Sequence, residues 1–392
     1  MPNRSPGQLF GGVLLLLSSL SLYAEDKAVQ PEQSWFSKVS NWVEHELERL
    51  GADGEFNPDD GIDWTAVPGP FATPDSGFGL GVSSVGLFVV DKEDTVSQPS
   101  SITLTVFGSS KGNVGLDLDT QVFLKEDRRR LYIWGVAEKV NDVFYGPGIR
   151  DGQRNRNKHS FSLDTLLVNS KYMFRMAPAF YIGAGASLGQ NNVKGSVESH
   201  QAQPPTSSAF PQDVRTAGAT FHAMYDSRDF GLNAKRGRLL QADGGFYTSS
   251  ADRRHNFRKL ALEYREYQAI GPGVLAFQLA SEFKFGDVTW DNMTKLGGED
   301  RLRGYTTGRY RGRQMLMSQV EYRHDLPGRH GMVYWLGAGT LGLDVSDLGS
   351  EPWIHTVGLG YRYELKPGVN LRADFAWGNG DSGIYVGVNE AF

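Results

Sequence analysis

No cysteine occurs in the 392 residues. That excludes disulfide scaffolds, Cys-based zinc sites, iron–sulfur clusters and thiol catalysis. Long apolar runs are also missing. The run Val13-Leu14-Leu15-Leu16-Leu17 is broken at once by Ser18, Ser19 and Ser21, far short of the roughly 20 apolar residues a membrane-crossing helix needs. Charge of one sign is scarce as well: the net charge is −5 and no basic stripe dominates any region, so no nucleic-acid partner is expected. The eight His make neither HExxH nor an i, i+4 pair, no GxSxG places a nucleophilic Ser, and no Gly run opens a helix after a strand. Neither a metal site, a cofactor nor an enzymatic activity is therefore expected.

What is present is glycine (48 residues) and aromatic side chains (12 %), at a mean hydropathy of −0.38. Residues 1–24 read as a secretory signal, with Arg4, the short apolar run and small residues up to Ala24. Residues 31–50 have helical spacing: Trp35, Phe36, Val39, Trp42, Val43, Leu47 and Leu50 share one stripe, between Pro31 and Gly51. This short amphipathic helix suits a membrane interface. The acidic, turn-rich stretch 51–61 does not match the spacing of a calcium loop and is expected to be a solvated linker. Residues 25–61 thus form a short periplasmic segment before the main domain, residues 62–392.

From residue 62 onward the period becomes two. Val114, Leu116, Leu118, Val122 and Leu124 alternate with Gly115, Asp117, Asp119 and Gln121; Leu275, Phe277, Leu279, Phe283 and Phe285 alternate with Ala276, Gln278, Glu282 and Lys284. A soluble sandwich also alternates, so loop lengths must decide. Tight turns at 173–177, 271–273, 326–328 and 366–368 alternate with long polar loops at 142–158, 190–213, 286–311 and 344–351. Such asymmetry is expected when one rim faces the periplasm and the other the exterior. The fold class is all-β: a transmembrane antiparallel β-barrel of about 16 strands, its first strand short, at 62–67 before Pro68 and Pro70.

Two segments carry a family likeness. Leu296-Gly-Gly-Glu-Asp-Arg-Leu-Arg-Gly-Tyr-Thr-Thr-Gly-Arg-Tyr310 resembles the long-loop motif, centred on Arg-Gly-Tyr/Phe, of BamA/TamA-type outer-membrane barrels, the bacterial surface antigen family. Tyr225-Asp-Ser-Arg-Asp-Phe-Gly-Leu-Asn-Ala-Lys-Arg-Gly237 resembles that family's periplasmic hairpin, in which Asp226, Arg228, Asp229, Arg236 and Gly237 match. Phe144-Tyr-Gly-Pro-Gly148 resembles a surface-loop signature of its shorter members. The resemblance implies that the loop bearing Arg303, Gly304 and Tyr305 folds into the lumen. Glu321 is then the natural partner of Arg303, since it shares a face with Met315, Met317, Gln319 and Arg323.

The sequence departs from the family pattern in three places. Gly337 stands where many members carry an Asp that also binds the loop Arg, which implies half the usual anchoring. Residues 25–61 are too few for a polypeptide-transport-associated domain. The last strand, expected to run through residues 384–392, has Gly387 and the terminal Phe392 of an assembly signal, but Glu390 replaces an apolar residue. The resemblance implies outer-membrane lipid, the host barrel-assembly machinery and unfolded outer-membrane or secreted clients as partners. The expected function is assisted insertion or translocation of proteins through a weak first/last-strand seam; the alternative is a passive or substrate-selective pore.

Overall fold

The computed structural model describes residues 45–46, 48–73, 76–199, 213–251 and 253–392. The expected signal segment lies outside them, as does all but the end of the expected helix, where His45, Glu46, Glu48 and Arg49 are helical.

Sixteen strands close into a barrel in chain order. The first half comprises β1 (Asp63–Thr73), β2 (Gly77–Phe88), β3 (Ser100–Ser109), β4 (Val114–Leu124), β5 (Arg129–Phe144), β6 (His159–Ala177), β7 (Phe180–Ser199) and β8 (Val214–Asp226). The second half begins with β9 (Gly237–Ser250), β10 (Arg254–Ile270) and β11 (Gly273–Gly286). The short strands β12 (Thr294–Leu296) and β13 (Tyr310–Gly312) pair only with each other, inside the loop after β11. Then β14 (Gln314–Asp325), β15 (His330–Gly342), β16 (Ile354–Lys366), β17 (Val369–Trp377) and β18 (Ser382–Val388) complete the wall. Closure satisfies the backbone groups that lipid cannot, and every pairing between neighbours is antiparallel.

The two-residue period sorts side chains between lipid and lumen. In β2, Phe78, Leu80 and Val82 are exposed on the outside, whereas Ser83, Val85 and Leu87 are buried. In β14 the alternate residues Met315, Met317, Gln319, Glu321 and Arg323 are buried. The four tight turns read from the sequence lie at the end that also carries the N-terminal linker, and the four long loops at the other. One boundary moves: β6 continues through Ala177, so that turn is at 178–179. Two further connections at the tight-turn end, 89–99 and 227–236, are longer than the pattern suggests. They bind each other, the Gly231 amide donating to Gln98 Oε1 at 2.9 Å.

Three sequence expectations need correction near the seam. Pro68 and Pro70 lie within β1 rather than beyond it, because a proline needs no ladder partner on an edge. The last strand ends at Val388, and Asn389 (φ 66°) turns the chain inward, its amide bonded to Asn370 O. The linker is not simply solvated: Ala52 is fully buried with Val67, Val85, Leu87, Tyr363, Leu365 and Val369.

Candidate functional site: the lumen loop and the seam

The loop between β11 and β14 lies inside the barrel. Leu296, Leu302, Tyr305 and Tyr310 pack with Met315, Met317, Leu341 and Ile354 in one buried cluster. Apolar loop residues thus find their core against the inward methionines and aliphatics of β14–β16. Gly304 sits at φ 106°, and a Cβ there would lie 2.9 Å from the Trp377 carbonyl carbon, so only glycine lets the loop approach the wall this closely.

Arg303 is wholly buried and lies between two carboxylates, Glu321 on β14 and Asp374 on β17. Its guanidinium is 3.8 Å from the Trp335 ring on β15, and its carbonyl accepts from Thr356 Oγ1 on β16. Burial alone would push the guanidinium down, but Glu321 and Asp374 hold its pKa above the ordinary value. The Gly304 amide donates to the Tyr385 hydroxyl on β18 at 3.1 Å. Tyr305 donates to His355 O at 2.6 Å and accepts from the Asn379 amide at 3.0 Å. Three consecutive residues therefore join β14, β15, β16, β17 and β18. Further along, Arg309 bonds Asp381 at 2.9 Å and Arg311 bonds Asp142 on β5 at 2.7 Å.

The anchoring expected to be halved at Gly337 is restored from another strand. Asp374 supplies the second carboxylate, and Leu302 occupies the space at Gly337, its Cδ2 2.9 Å from where a Cβ would stand. Asp374 is itself held by Arg362 at 2.7 Å. Sequence reading did not pair Asp374 with Arg303, because the contact depends on where the loop settles against the wall, and β17 is three strands from β14. Trp335, Thr356 and Tyr385 were missed for the same reason.

The hairpin at 225–237 is a box of ion pairs and amide contacts, closed by Arg130 of β5. Asp226 accepts from Arg130 Nη1 at 2.7 Å and Arg228 Nε at 2.9 Å. Asp229 Oδ1 accepts the amides of Phe230, Lys235 and Arg236. Gly237 (φ 96°) leaves 2.1 Å between a would-be Cβ and Ser227 O. From this box Phe230 reaches Gly368, and Leu232 O accepts the Glu390 amide at 3.4 Å.

The C-terminal residues stand apart from the lipid-facing wall. Phe392 is buried with Ala234, Tyr267, Val274 and Ala276; its carbonyl accepts from Arg323 at 2.7 Å. Glu390, unusual as an apolar replacement, pairs with Arg362 at 2.8 Å and accepts from Asn370 at 2.8 Å. Gly387 lies near Arg372 and Glu299, which bond each other at 3.1 Å.

The seam itself is sparse. β1 pairs with β2 from Asp63 to Thr73, and β18 with β17 from Ser382 to Val388. Among the described residues, β1 and β18 share one registered pair, Ala72 opposite Ile384.

No curated protein sequence matches the chain. Solved structures match its fold. BamA from Haemophilus ducreyi lacking POTRA domains 1–3 superposes with a TM-score of 0.51 at 11% identity, over 89% of this chain and 78% of that one. CdiB from Acinetobacter baumannii gives the same score and identity, over 83% of this chain and 59% of that one. The description of the Omp85 superfamily domain fits residues 96–392. With sixteen strands closed around a lumen loop and three quarters of its length matched, this chain belongs to the Omp85 superfamily of outer-membrane β-barrels.

Proposed function

We propose that this barrel assists the insertion or translocation of proteins at the outer membrane by opening between β1 and β18. The single registered pair at Ala72 and Ile384 carries this reading. Few ladder bonds must break there, and Pro68 and Pro70 have no N–H to offer a permanent neighbour. A freed β1 edge can template an extended client strand by main-chain hydrogen bonding. The Arg303–Gly304–Tyr305 anchor would keep β14–β18 together as one rigid wall while β1 moves. The hairpin box around Asp226, Arg228, Asp229, Arg236 and Gly237 would hold the opposite wall fixed. Outer-membrane lipid, unfolded client proteins and the host's assembly machinery are the partners on this reading, with residues 25–61 on the periplasmic side. Phe392 and Gly387 would serve as an assembly signal only before the tail folds inward.

A chain without cysteine allows a clean test. Cysteines introduced at Ala72 and Ile384 and oxidised should close the seam, and a strain relying on that barrel should lose outer-membrane or exported proteins until reductant is added. An unchanged protein profile with the seam fully crosslinked rejects lateral opening. The pore alternative would then be judged by conductance: a cavity of about 550 Å³ lined by Asp117, Asp119, Gln121 and Arg372 leaves a wetted lumen beside the loop.

A further inference from the structure

β18 stops at Val388, which in the register of the Ala72–Ile384 pair falls opposite Pro68, so residues 63–67 of β1 have no β18 residue on their outer edge. Something else occupies that position. The Ala66 amide of β1 donates to Leu50 O at 2.9 Å, and Thr65 Oγ1 donates to Gly51 O at 2.7 Å. Gly51 is at φ 88°, and a Cβ would stand 2.2 Å from Trp64 O, so the contact with the strand edge requires glycine.

From β1 the chain crosses to the hairpins beyond the seam. Arg329, in the β14–β15 turn, donates to Ala52 O at 2.8 Å and to Leu365 O at 2.7 Å. The Gly54 amide donates to Leu365 O at 3.0 Å. Lys366, almost fully buried, donates to Asp53 at 3.1 Å, to Glu55 O at 3.0 Å and to Asp63 of β1 at 2.8 Å. Ala52 fills the space between Val67 of β1 and Val369 of β17, with Phe56 packed alongside.

We infer that residues 50–56 form a latch that replaces the missing end of β18, fastening β1 to β16 and β17, with Lys366 as its pin. The latch must leave β1 before the periplasmic half of the seam can part. A short segment held by hydrogen bonds, one small buried side chain and one buried lysine is suited to reversible release, since local opening costs far less than unfolding the wall. The inference extends the seam-opening reading above: that reading assigns the movement, and this one assigns what restrains it.

Hydrogen exchange of the full mature chain, refolded in detergent micelles and checked for heat-modifiable migration, tests it. In Lys366→Met, which keeps the apolar stem but loses all three acceptors, amides of residues 63–69 should exchange about tenfold faster than in the parent. Amides of β8–β11 should be unchanged. A second protein carrying Leu50→Cys and Ala66→Cys, crosslinked after folding, should exchange more slowly at 63–69 and needs no destabilising substitution. Equal exchange at 63–69 in both proteins and the parent overturns the latch. So does a rise spread evenly over the whole barrel in Lys366→Met without slowing in the crosslinked protein, since that reports general loosening. Exchange needs no client, so a barrel that handles none could still show the latch, and a working seam could still lack it.

Discussion

Arg303 and Asp374 are 71 residues apart in sequence and meet at 2.5 Å in the barrel interior, neither exposed to solvent. The pair ties the lumen loop to one strand of the wall, so it fixes where the loop lies rather than merely adding charge to the wall. Desolvating three charges is costly, and a buried ion pair adds little net stability over an apolar substitute. Its consequence is positional, and it appears when one partner is removed.

Arg303→Ala leaves Glu321 and Asp374 buried without their shared cation. Loss of about 3–5 kcal/mol is expected, the range for breaking a buried pair. The heat-modifiable gel transition should fall in temperature, and single-channel recordings should show larger, noisier currents as the loop leaves the lumen. Arg303→Lys should recover only part of this, because an ammonium cannot fork between two carboxylates or lie flat on Trp335.

Gly337→Asp restores the residue that many family members carry, yet it should weaken this barrel. Its Cβ would stand 2.9 Å from Leu302 Cδ2 and 3.1 Å from Gln319 Cβ and Thr356 Cγ2. Overpacking of this kind costs about 1–3 kcal/mol. Adding Leu302→Ala should recover stability relative to Gly337→Asp alone; thermal unfolding of the two proteins measures the difference.

Tyr385→Phe removes the acceptor of the Gly304 amide and leaves a buried N–H unpaired. About 1–3 kcal/mol should be lost. Because Tyr385 is on β18, the same change should raise crosslinking between cysteines placed on the loop and the outer rim.

Acid should loosen the tail. Burial alone would raise the Glu390 carboxyl, but Arg362 and Arg323 override it and hold it at about 2. A folded pKa below the unfolded one means that the group stabilises the fold fully above about pH 4.5. That contribution fades as pH falls from 4.5 to 2. Thermal unfolding of the parent should therefore lose more stability between pH 6 and pH 3 than Glu390→Gln, whose tail has no such carboxyl.

The wall was legible in sequence because its code is local. Alternation in residues 114–124 and 275–285 marks strands whether or not neighbours are known, and loop lengths then give the two rims. Glu321 could be named because Met315, Met317 and Gln319 place it inward on one strand. Asp374 could not, since its contact with Arg303 depends on how deep the loop sits and on how it lies against a strand three places from β14. The early end of β18 was equally hidden: residues 384–392 read as a continuous strand until Asn389 takes a left-handed conformation and Glu390 finds Arg362. The linker's docking rests on Ala52 and Gly51, residues too small to announce a contact.

The inward-turned tail bears on how this protein can be handled. With Phe392 enclosed by Ala234, Tyr267 and Val274 and its carbonyl held by Arg323, an affinity tag fused at that end would have to pry the last residues loose or thread out past the hairpin. A purification handle inserted in the outer β3–β4 turn, where Gly112 has open space beside it, would leave both the tail and the latch undisturbed.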